Sequence, residues 1–186
     1  MRLIFLGPPG VGKGTQAKRI CEHYNLIHLS TGEILRNEIA EKTNIGRKAK
    51  SFIDAGELVP DDVLLGMMNN RLKKDDVQSG YLLDGFPRTI PQANGLDNIM
   101  NNISHSLDCA LSLNADENEL VQRLINRGKE SGRSDDTPEI IRQRQKVYWK
   151  QTAPLLDFYR EKNLLKEVNG IGDIPEITER ILKVLN

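Results

Sequence analysis

The sequence predicts an α/β fold in which a parallel β-sheet is covered by helices on both faces. Short apolar runs that suit buried strands alternate along the chain with longer segments of helical periodicity. A glycine-rich loop follows the first apolar run and precedes the first helical segment. Strands that are separated by helices pair in parallel, and such sheets bind ligands beyond the carboxyl ends of their strands. We therefore expect the glycine-rich loop to lie at the binding edge of the sheet.

The first elements of the chain illustrate this alternation. Leu3–Leu6 is a continuous apolar run typical of a buried strand, and apolar side chains recur at helical spacing over Gly14–Tyr24. A short strand is predicted at Leu26–Leu29, followed by a helix over Thr31–Ala40 with a hydroxyl residue available as its N-cap, either Ser30 or the threonine itself.

The later elements continue the same order. Three more short segments with several apolar residues predict strands at Tyr81–Asp84, Leu107–Leu113 and Leu164–Val168. Helices are predicted at Lys48–Ala55, Asp62–Leu72, 90–102, 116–127, 138–162 and 176–185.

Length and charge limit the possible functions. A chain of 186 residues can form one substantial core but is short for two independent domains, so we expect one cooperative unit. Lys and Arg together number 26 and so do Asp and Glu, which leaves no global field for holding nucleic acid or an anionic membrane. The first apolar run is too short for a signal-peptide core, and no later run approaches a membrane span. We expect a cytoplasmic protein with neither nucleic acid nor membrane as a partner.

The loop GPPGVGKGT, from Gly7 to Thr15, predicts phosphate binding. Its glycines let backbone N–H groups approach an anion, the following helix directs its positive end to the same place, and Lys13 adds a full charge. In the usual pattern G-x-x-x-x-G-K-[ST] a hydroxyl follows the lysine directly, whereas here Gly14 takes that position and the threonine comes one residue later. This shift is consistent with a magnesium ion held mainly by substrate oxygens and water.

A second segment, GYLLDGFPRTIPQ, brings an acid and a cation to the same edge of the sheet. Asp84 ends a predicted buried strand, where it could orient the ligand shell of a magnesium ion or act only as a helix or turn cap. Gly85 permits a tight turn, Pro87 stiffens it, and Arg88 then reaches the rim, where a guanidinium suits a phosphate.

Further arginines could join this cleft, although each alone could equally be a solvated surface charge. Arg123 and Arg127 are one helical turn apart and therefore project from one face. With them, the arginines that could line one cleft are Arg36, Arg88, Arg123, Arg127, Arg133 and Arg144. The segment from Arg127 to Asp136 has two glycines and no apolar residue, so it predicts either a mobile lid or a plain loop.

Six motifs, taken in order, closely resemble the adenylate kinase family. They are GPPGVGKGTQ, HLSTGEILR, GELVPD, GYLLDGFPRTIPQ, RLINRGKESGRSDD and RQRQKVYWKQTAPLLDFY, and they span essentially the whole chain. The resemblance implies the three-layer fold of the P-loop NTPases with a five-stranded parallel sheet. It divides the single domain 1–186 into a core (1–29, 60–125, 137–186), a helical region that binds the nucleoside monophosphate (30–59) and a short lid (126–136). In this family GKGT is the normal form of the loop. The short lid lacks the insertion and the four-ligand metal cluster of some bacterial members, so no structural zinc is expected.

The resemblance also implies roles for individual residues. Its ATP site matches Gly10, Val11, Gly12, Lys13, Gly14, Thr15, Arg123, Arg127 and Gly172. Its AMP site matches Thr31, Arg36, Glu57, Leu58, Val59, Gly85, Phe86, Pro87, Arg88, Gln92, Arg133 and Arg144. The catalytic cations match Lys13, Arg88, Arg127, Arg133 and Arg144. Asp84 would hold Mg²⁺ through water, and Asp135 and Asp136 would brace the lid arginines.

The reaction implied by this resemblance is the reversible, Mg²⁺-dependent transfer of a phosphoryl group from ATP to AMP, giving two ADP. The family also implies a monomer that serves adenine nucleotide homeostasis and purine nucleotide salvage. Because the phosphate of AMP is already largely dianionic at neutral pH, no general base is required. His23, His28 and His105 are therefore expected to have structural roles.

Three other functions compete with this interpretation. A kinase for UMP and CMP typically has Ala at the position of Thr31 and Asn soon after the arginine of GFPR, whereas this chain has TIPQ, ending in Gln92. A GTPase switch would share the phosphate loop, but the sequence has no N-K-x-D element for guanine. A non-catalytic nucleotide sensor would not need to retain Lys13, Asp84 and Arg88 together.

Overall fold

Five parallel strands form the centre of the molecule in the part of the chain that the computed structural model describes, residues 1–131 and 134–186. They are β1 (Arg2–Leu6), β2 (Ile27–Ser30), β3 (Tyr81–Asp84), β4 (Cys109–Asn114) and β5 (Leu165–Asn169). The order in the sheet is β2–β3–β1–β4–β5, so β1 is central. All five predicted strands are present, and the predicted α/β fold with a five-stranded parallel sheet is confirmed.

Helices connect the strands and lie on both faces of the sheet. They are α1 (Lys13–Tyr24), α2 (Thr31–Ala40), α3 (Asn44–Asp54), α4 (Asp61–Arg71), α5 (Ile90–Asn102), α6 (Glu117–Ser131), α7 (Pro138–Val147), α8 (Pro154–Glu161) and α9 (Ile174–Leu185). Short 3₁₀ turns occur at Asp75–Val77 and Ser134–Asp136. Ser30 is the N-cap of α2, since its hydroxyl accepts from the N–H of Glu33.

Two apolar clusters lie on the two faces of the sheet, because side chains of a strand alternate between its faces. Ile4 and Leu83 belong to the larger cluster, which includes residues of α2 to α5 and α8. Leu3 and Leu82 belong to the other, which includes residues of α1 and α9. The structure thus confirms that helices cover both faces.

Both cysteines are buried among apolar residues. Cys21 and Cys109 are free thiols in the cluster between α1 and α9. Burial raises the pKa of each thiol to about 11, so neither is a reactive thiolate at neutral pH. In the described ranges, no helix is both long and apolar enough to cross a lipid bilayer.

The predicted helix 138–162 is in fact interrupted. A π-helical turn at Tyr148–Thr152 separates α7 from α8. Within it, Ala153 N donates to Tyr148 O at 2.9 Å, a bond between residues five apart instead of the four of an α-helix. Pro154 explains the break, because proline has no N–H and its ring displaces the carbonyl of the preceding turn. Trp149, in this turn, is 48% exposed and packs edge-on against Tyr148, with ring centroids 5.1 Å apart.

Three other helices begin or end elsewhere than predicted. The N-cap of α3 is Thr43, whose hydroxyl accepts from Gly46 N at 3.0 Å, and Asp173 begins α9 with a capping box. α6 continues to Ser131, so half of the predicted lid is helical rather than a loop. A Cβ at position 128 would lie 2.8 Å from Asp136 O, which shows why a glycine occurs inside this helix.

Candidate active site

The loop between β1 and α1 has backbone geometry that favours glycine. Gly7, Gly10 and Gly12 have φ angles of 142°, 90° and 97°. A Cβ on Gly10 would lie 2.7 Å from the carbonyl oxygen of Leu120, so the loop also packs closely against α6. Gly12 is the N-cap of α1 and offers no side chain to its first N–H groups. The positive end of α1 therefore faces the loop, as predicted for an anion site.

Lys13 begins α1, and its ammonium group folds back over the loop. Nζ donates to the carbonyl oxygens of Gly7 at 2.5 Å and Pro8 at 3.0 Å. Desolvation is the main cause that lowers the pKa of Lys13 to about 8; Asp84 opposes this shift, and Arg88 contributes to it. A phosphate in the loop would supply the negative charge that favours the protonated lysine.

Asp84 ends β3 beside this loop. β1 and β3 pair with Phe5 opposite Asp84, so the two chains leave the sheet together. A Cβ on Gly14 would lie 3.9 Å from Asp84 Oδ2. His28 Nε2 lies 3.3 Å from the same oxygen. Within the described residues this carboxylate bonds to His28 and to no backbone N–H, so Asp84 is not a helix cap.

Asp84 is held in its ionised form. Burial acts to raise the pKa of this carboxyl, but the hydrogen bond with His28 and the charges of Lys13 and Arg88 outweigh burial and hold the pKa below its ordinary value. The sequence interpretation gave His28 only a structural role, and its contact with Asp84 was missed because nothing in the local pattern indicates it. Across residues 1–131 and 134–186, no three His, Cys, Asp or Glu side chains cluster as a metal site.

The turn after β3 directs Arg88 back toward the sheet edge. Gly85 has a φ angle of 82°, and a Cβ there would lie 2.8 Å from Thr31 Oγ1. The Phe86–Pro87 peptide is cis. Arg88 Nε donates to Gly85 O at 2.8 Å. Burial, followed by the charge of Arg144, lowers the pKa of Arg88 to about 10, which leaves the guanidinium charged at neutral pH.

Two arginines from neighbouring helices bind the same acid, Asp136, and one of them also binds Asp135. Arg127, on α6, donates from Nε and Nη2 to the two carboxylate oxygens of Asp136, both at 2.7 Å. Arg144, on α7, has Nη1 2.9 Å from Asp136 Oδ1 and 2.9 Å from Asp135 Oδ2. Both acids are buried. Asp136 therefore joins α6 to α7.

Two adjoining cavities contain most of the predicted residues. The larger, of about 380 Å³, includes in its lining Gly10, Gly12, Lys13, Gly14, Thr15, Arg36, Leu58, Asp84, Gly85, Pro87, Arg88, Arg123, Arg127 and Arg144. The smaller, of about 80 Å³, includes Thr31, Arg36, Glu57, Leu58, Val59, Gly85, Arg88 and Arg144. Arg36, Arg88 and Arg144 line both cavities, so three guanidinium groups stand at their boundary.

Four predicted residues line neither cavity: Val11, Phe86, Gln92 and Gly172. The amide of Gln92 is fully buried, with Oε1 accepting from Arg88 N at 2.7 Å and Nε2 donating to Asp61 Oδ1 at 2.7 Å. Contact of Gln92 with a base therefore requires these bonds to exchange. Arg133 lies outside the described residues.

Two supporting side chains were missed by sequence reasoning. Gln145 is buried on α7, and its Nε2 donates to Pro9 O in the glycine-rich loop at 3.0 Å. Thr152, in the π turn, donates to Arg88 O at 2.9 Å. Both join segments far apart in the sequence, and an amide or hydroxyl on a helix gives no local signal of such a contact.

Comparison with known proteins gives one consistent result. A family model described as Adenylate kinase matches residues 5–164. A protein of Stenotrophomonas maltophilia (strain K279a) named "Adenylate kinase" is 50% identical over 185 residues, covering 100% of this chain and 99% of that protein. A protein of the same name from Nocardioides sp. (strain ATCC BAA-499 / JS614) is 47% identical and covers 100% of this chain and 97% of its own length. One from Leptospira biflexa serovar Patoc (strain Patoc 1 / Ames) is 47% identical, with 98% of both chains covered.

Proposed function

The chain belongs to the adenylate kinase family and is therefore a phosphotransferase, and we propose that it reversibly transfers a phosphoryl group from ATP to AMP, giving two ADP. The observation that carries this proposal is the boundary between the two cavities, where Arg36, Arg88 and Arg144 line both. A guanidinium can bind two phosphate oxygens at once, so groups at this boundary can hold donor and acceptor together. Transfer between two phosphates depends mainly on such alignment and charge compensation.

We assign the ATP phosphates to the larger cavity and AMP to the smaller one. The larger cavity contains the glycine-rich loop, Lys13 and the positive end of α1, which suit a polyphosphate. Arg123 lines the same cavity and donates to Gly170 O at 3.4 Å, next to the loop in which Gly172 is assigned to the adenine of ATP. The smaller cavity combines Thr31 with Leu58 and other apolar side chains, as expected for a nucleoside.

The chemistry needs no general base from the protein. The acceptor phosphate of AMP has a second pKa near 6 and is largely dianionic at neutral pH. Among the described residues, the three histidines line neither of the two cavities. Lys13 and the arginines act by binding the two polyanions, orienting them and compensating the charge that moves with the phosphoryl group.

Mg²⁺ is the metal ion that we propose binds together with ATP. Asp84 provides an ionised carboxylate, and Thr15 provides a hydroxyl, in the lining of the larger cavity. Magnesium keeps several waters and is commonly held by one or two carboxylates with substrate phosphates, so these donors fit it. Asp84 would hold the ion through water, and the ion would neutralise charge on the phosphate oxygens.

We also propose that the region 30–59 and the lid 126–136 close over the nucleotides. Water competes with AMP as an acceptor, so an assembled site that excludes water protects the transfer. The loop after α3 already contacts α7: Gln143 donates to the carboxylate of Glu57. A Cβ on Gly56 would lie 3.1 Å from a methyl carbon of Ile140. These contacts offer a path by which closure at one nucleotide favours closure at the other.

The family relationship further supports a role in adenine nucleotide homeostasis and purine nucleotide salvage. We propose that the protein performs this role as a monomer in the cytoplasm, with ATP, AMP and ADP as its ligands.

The experiment that tests the function supplies purified protein with Mg-ATP and, separately, AMP, UMP, CMP, GMP or water. Chromatography of the products should show two ADP formed for each AMP consumed, little diphosphate from the other monophosphates, and loss of turnover when EDTA removes the metal. Diphosphate formed mainly from UMP or CMP would move the assignment to the pyrimidine kinase. Turnover with water alone would indicate a hydrolytic switch.

A further inference from the structure

We propose that Asp61 and Thr152 are positioning residues that hold the backbone of Arg88, and thereby its guanidinium, at the boundary between the two cavities. The inference rests on the proposed function. Asp61 lines neither cavity, so its effect on turnover must pass through other residues.

The guanidinium of Arg88 lies among charges of both signs. The charges of Arg144 and Arg36 repel it, those of Asp84 and Asp135 attract it, and its own charge acts on Lys13. In the described part of the chain its side chain makes one hydrogen bond, from Nε to Gly85 O at 2.8 Å, and no carboxylate lies within ion-pair distance. Since no ion pair with a described residue fixes the guanidinium, its position depends on where the backbone of Arg88 is held.

Both backbone polar groups of Arg88 are bonded to side chains from other elements. Its N–H donates to Gln92 Oε1 at 2.7 Å, from α5. Its carbonyl oxygen accepts from Thr152 Oγ1 at 2.9 Å, from the π turn. The peptide is thus held from two sides.

Asp61 determines which end of the Gln92 amide faces Arg88. Gln92 Nε2 donates to Asp61 Oδ1 at 2.7 Å, and Thr89 Oγ1 donates to the same oxygen at 3.1 Å. An ionised carboxylate only accepts hydrogen bonds, so the NH₂ group must face Asp61 and the amide oxygen must face Arg88. Gln92 is fully buried, so water does not replace a lost partner there. Without Asp61, the amide would be free to rotate away from the Arg88 N–H.

The first test compares Asp61→Ala with Asp61→Asn and with Asp62→Ala. Asp62 is the exposed neighbour in the first turn of α4, so its replacement removes the same charge from the helix end without touching Gln92. We expect Asp61→Ala to lower kcat about tenfold, since small misplacements of catalytic groups have effects up to about a hundredfold. Asp61→Asn keeps an acceptor oxygen and should stay within about threefold of wild type. Asp62→Ala should match wild type, and KM for ATP should change less than about twofold in all three.

The second test repeats Asp61→Ala in an Arg88→Ala background. If Asp61 acts through Arg88, the fall in kcat should shrink to less than about twofold there, because coupled residues are not additive. Thr152→Val removes the hydroxyl that donates to Arg88 O and should lower kcat about fivefold, whereas Thr152→Ser keeps the hydroxyl and should restore kcat. This pair tests the second backbone bond of Arg88 even if Asp61→Ala folds poorly. Melting temperatures of all variants separate loss of fold from loss of position.

The proposal is wrong if Asp61→Ala lowers kcat equally with and without Arg88, or if Asp61→Ala behaves like Asp62→Ala and Thr152→Val like Thr152→Ser. These outcomes differ from a failure of the proposed function, which would appear as no ADP from AMP in the wild-type protein. The variant series is then measured with whichever monophosphate the wild type converts.

Discussion

At the scale of single residues, the site brings several cations close together. Among the described residues, Lys13 has only backbone carbonyls as hydrogen-bond partners, and desolvation, partly opposed by Asp84, brings its pKa to about 8. Arg88 stays charged at neutral pH because its pKa is about 10. Asp84 stays ionised because its pKa is lower than the ordinary value of an aspartate. Like charges held close together repel one another, so the binding of an anion among them is favoured because it relieves the repulsion.

This arrangement predicts a pH dependence of ATP binding. Because the pKa of Lys13 in the nucleotide-free protein is lowered to about 8, neutral lysine accumulates as the pH rises through that value. The phosphates of ATP are already ionised in this range, so the lysine dominates the change. We expect the Kd of ATP, measured by calorimetry, to rise about tenfold between pH 7 and pH 9.

Lys13→Arg is the matched control for this prediction, because a guanidinium keeps its charge to higher pH. Its Kd for ATP, although weaker in absolute value, should change little between pH 7 and pH 9. A wild-type Kd that is equally flat would contradict the assignment of the pH effect to Lys13.

At the scale of secondary-structure elements, local sequence signals explain which features were predictable. Strands β1, β3 and β4 could be predicted because each is a short, largely apolar run that suits a buried parallel strand. The signal of β5 is weaker, since Lys166 and Glu167 in it are exposed. The break between α7 and α8 has a local signal in Pro154, but the helical periodicity on both sides conceals it. The extension of α6 depends on the close approach of Asp136 to Gly128, a tertiary contact that no local pattern contains.

The same distinction applies to the site. The glycine-rich loop and Asp84 could be predicted because adjacent residues of one strand and one loop carry their chemistry. The hydrogen bonds that fix the backbone of Arg88 could not be predicted from the sequence. Their residues, Asp61, Gln92 and Thr152, belong to three separate elements that meet only in the folded chain.

Two glycines in helices provide a matched prediction for stability. A Cβ on Gly46 would lie 2.0 Å from the carbonyl oxygen of Glu38, so Gly46→Ala must push α3 away from α2. We expect it to lower the free energy of unfolding by about 2 kcal/mol or more, as overpacking does. A Cβ on Gly66, in the exposed face of α4, would meet no atom within 4 Å. Gly66→Ala should therefore raise the free energy of unfolding by about 0.5–1 kcal/mol.

Urea denaturation of the two alanine variants beside wild type measures both changes. A Gly46→Ala protein as stable as wild type would mean that α2 and α3 do not pack as closely as described.

At the scale of the whole molecule, helix α7 connects the two cavities to which the nucleotides are assigned. Arg144 lines both cavities and binds Asp135 and Asp136, while Gln145 holds the glycine-rich loop through Pro9. A movement of α7 would therefore change the lining of both cavities at the same time.

A ligand that fills both cavities should therefore bind far more tightly than either nucleotide. We expect a mimic in which a pentaphosphate joins two adenosines to bind with one-to-one stoichiometry, at least about a hundredfold more tightly than ATP, because the second half binds intramolecularly. At equal concentrations it should also raise the melting temperature more than ATP does. Calorimetry that finds equal affinities for the mimic and for ATP would contradict a two-nucleotide site.

Trp149 gives the protein a natural optical probe. It is the single tryptophan of the sequence, and its indole packs edge-on against Tyr148, a residue that lines the larger cavity. Tyr148 is one helical turn from Thr152, whose hydroxyl donates to Arg88 O. Indole emission depends on neighbouring rings and solvent, so any rearrangement of the π turn on nucleotide entry would alter the fluorescence of the unlabelled wild-type enzyme. Stopped-flow mixing can then time that rearrangement against product formation without introducing a dye or a foreign chromophore.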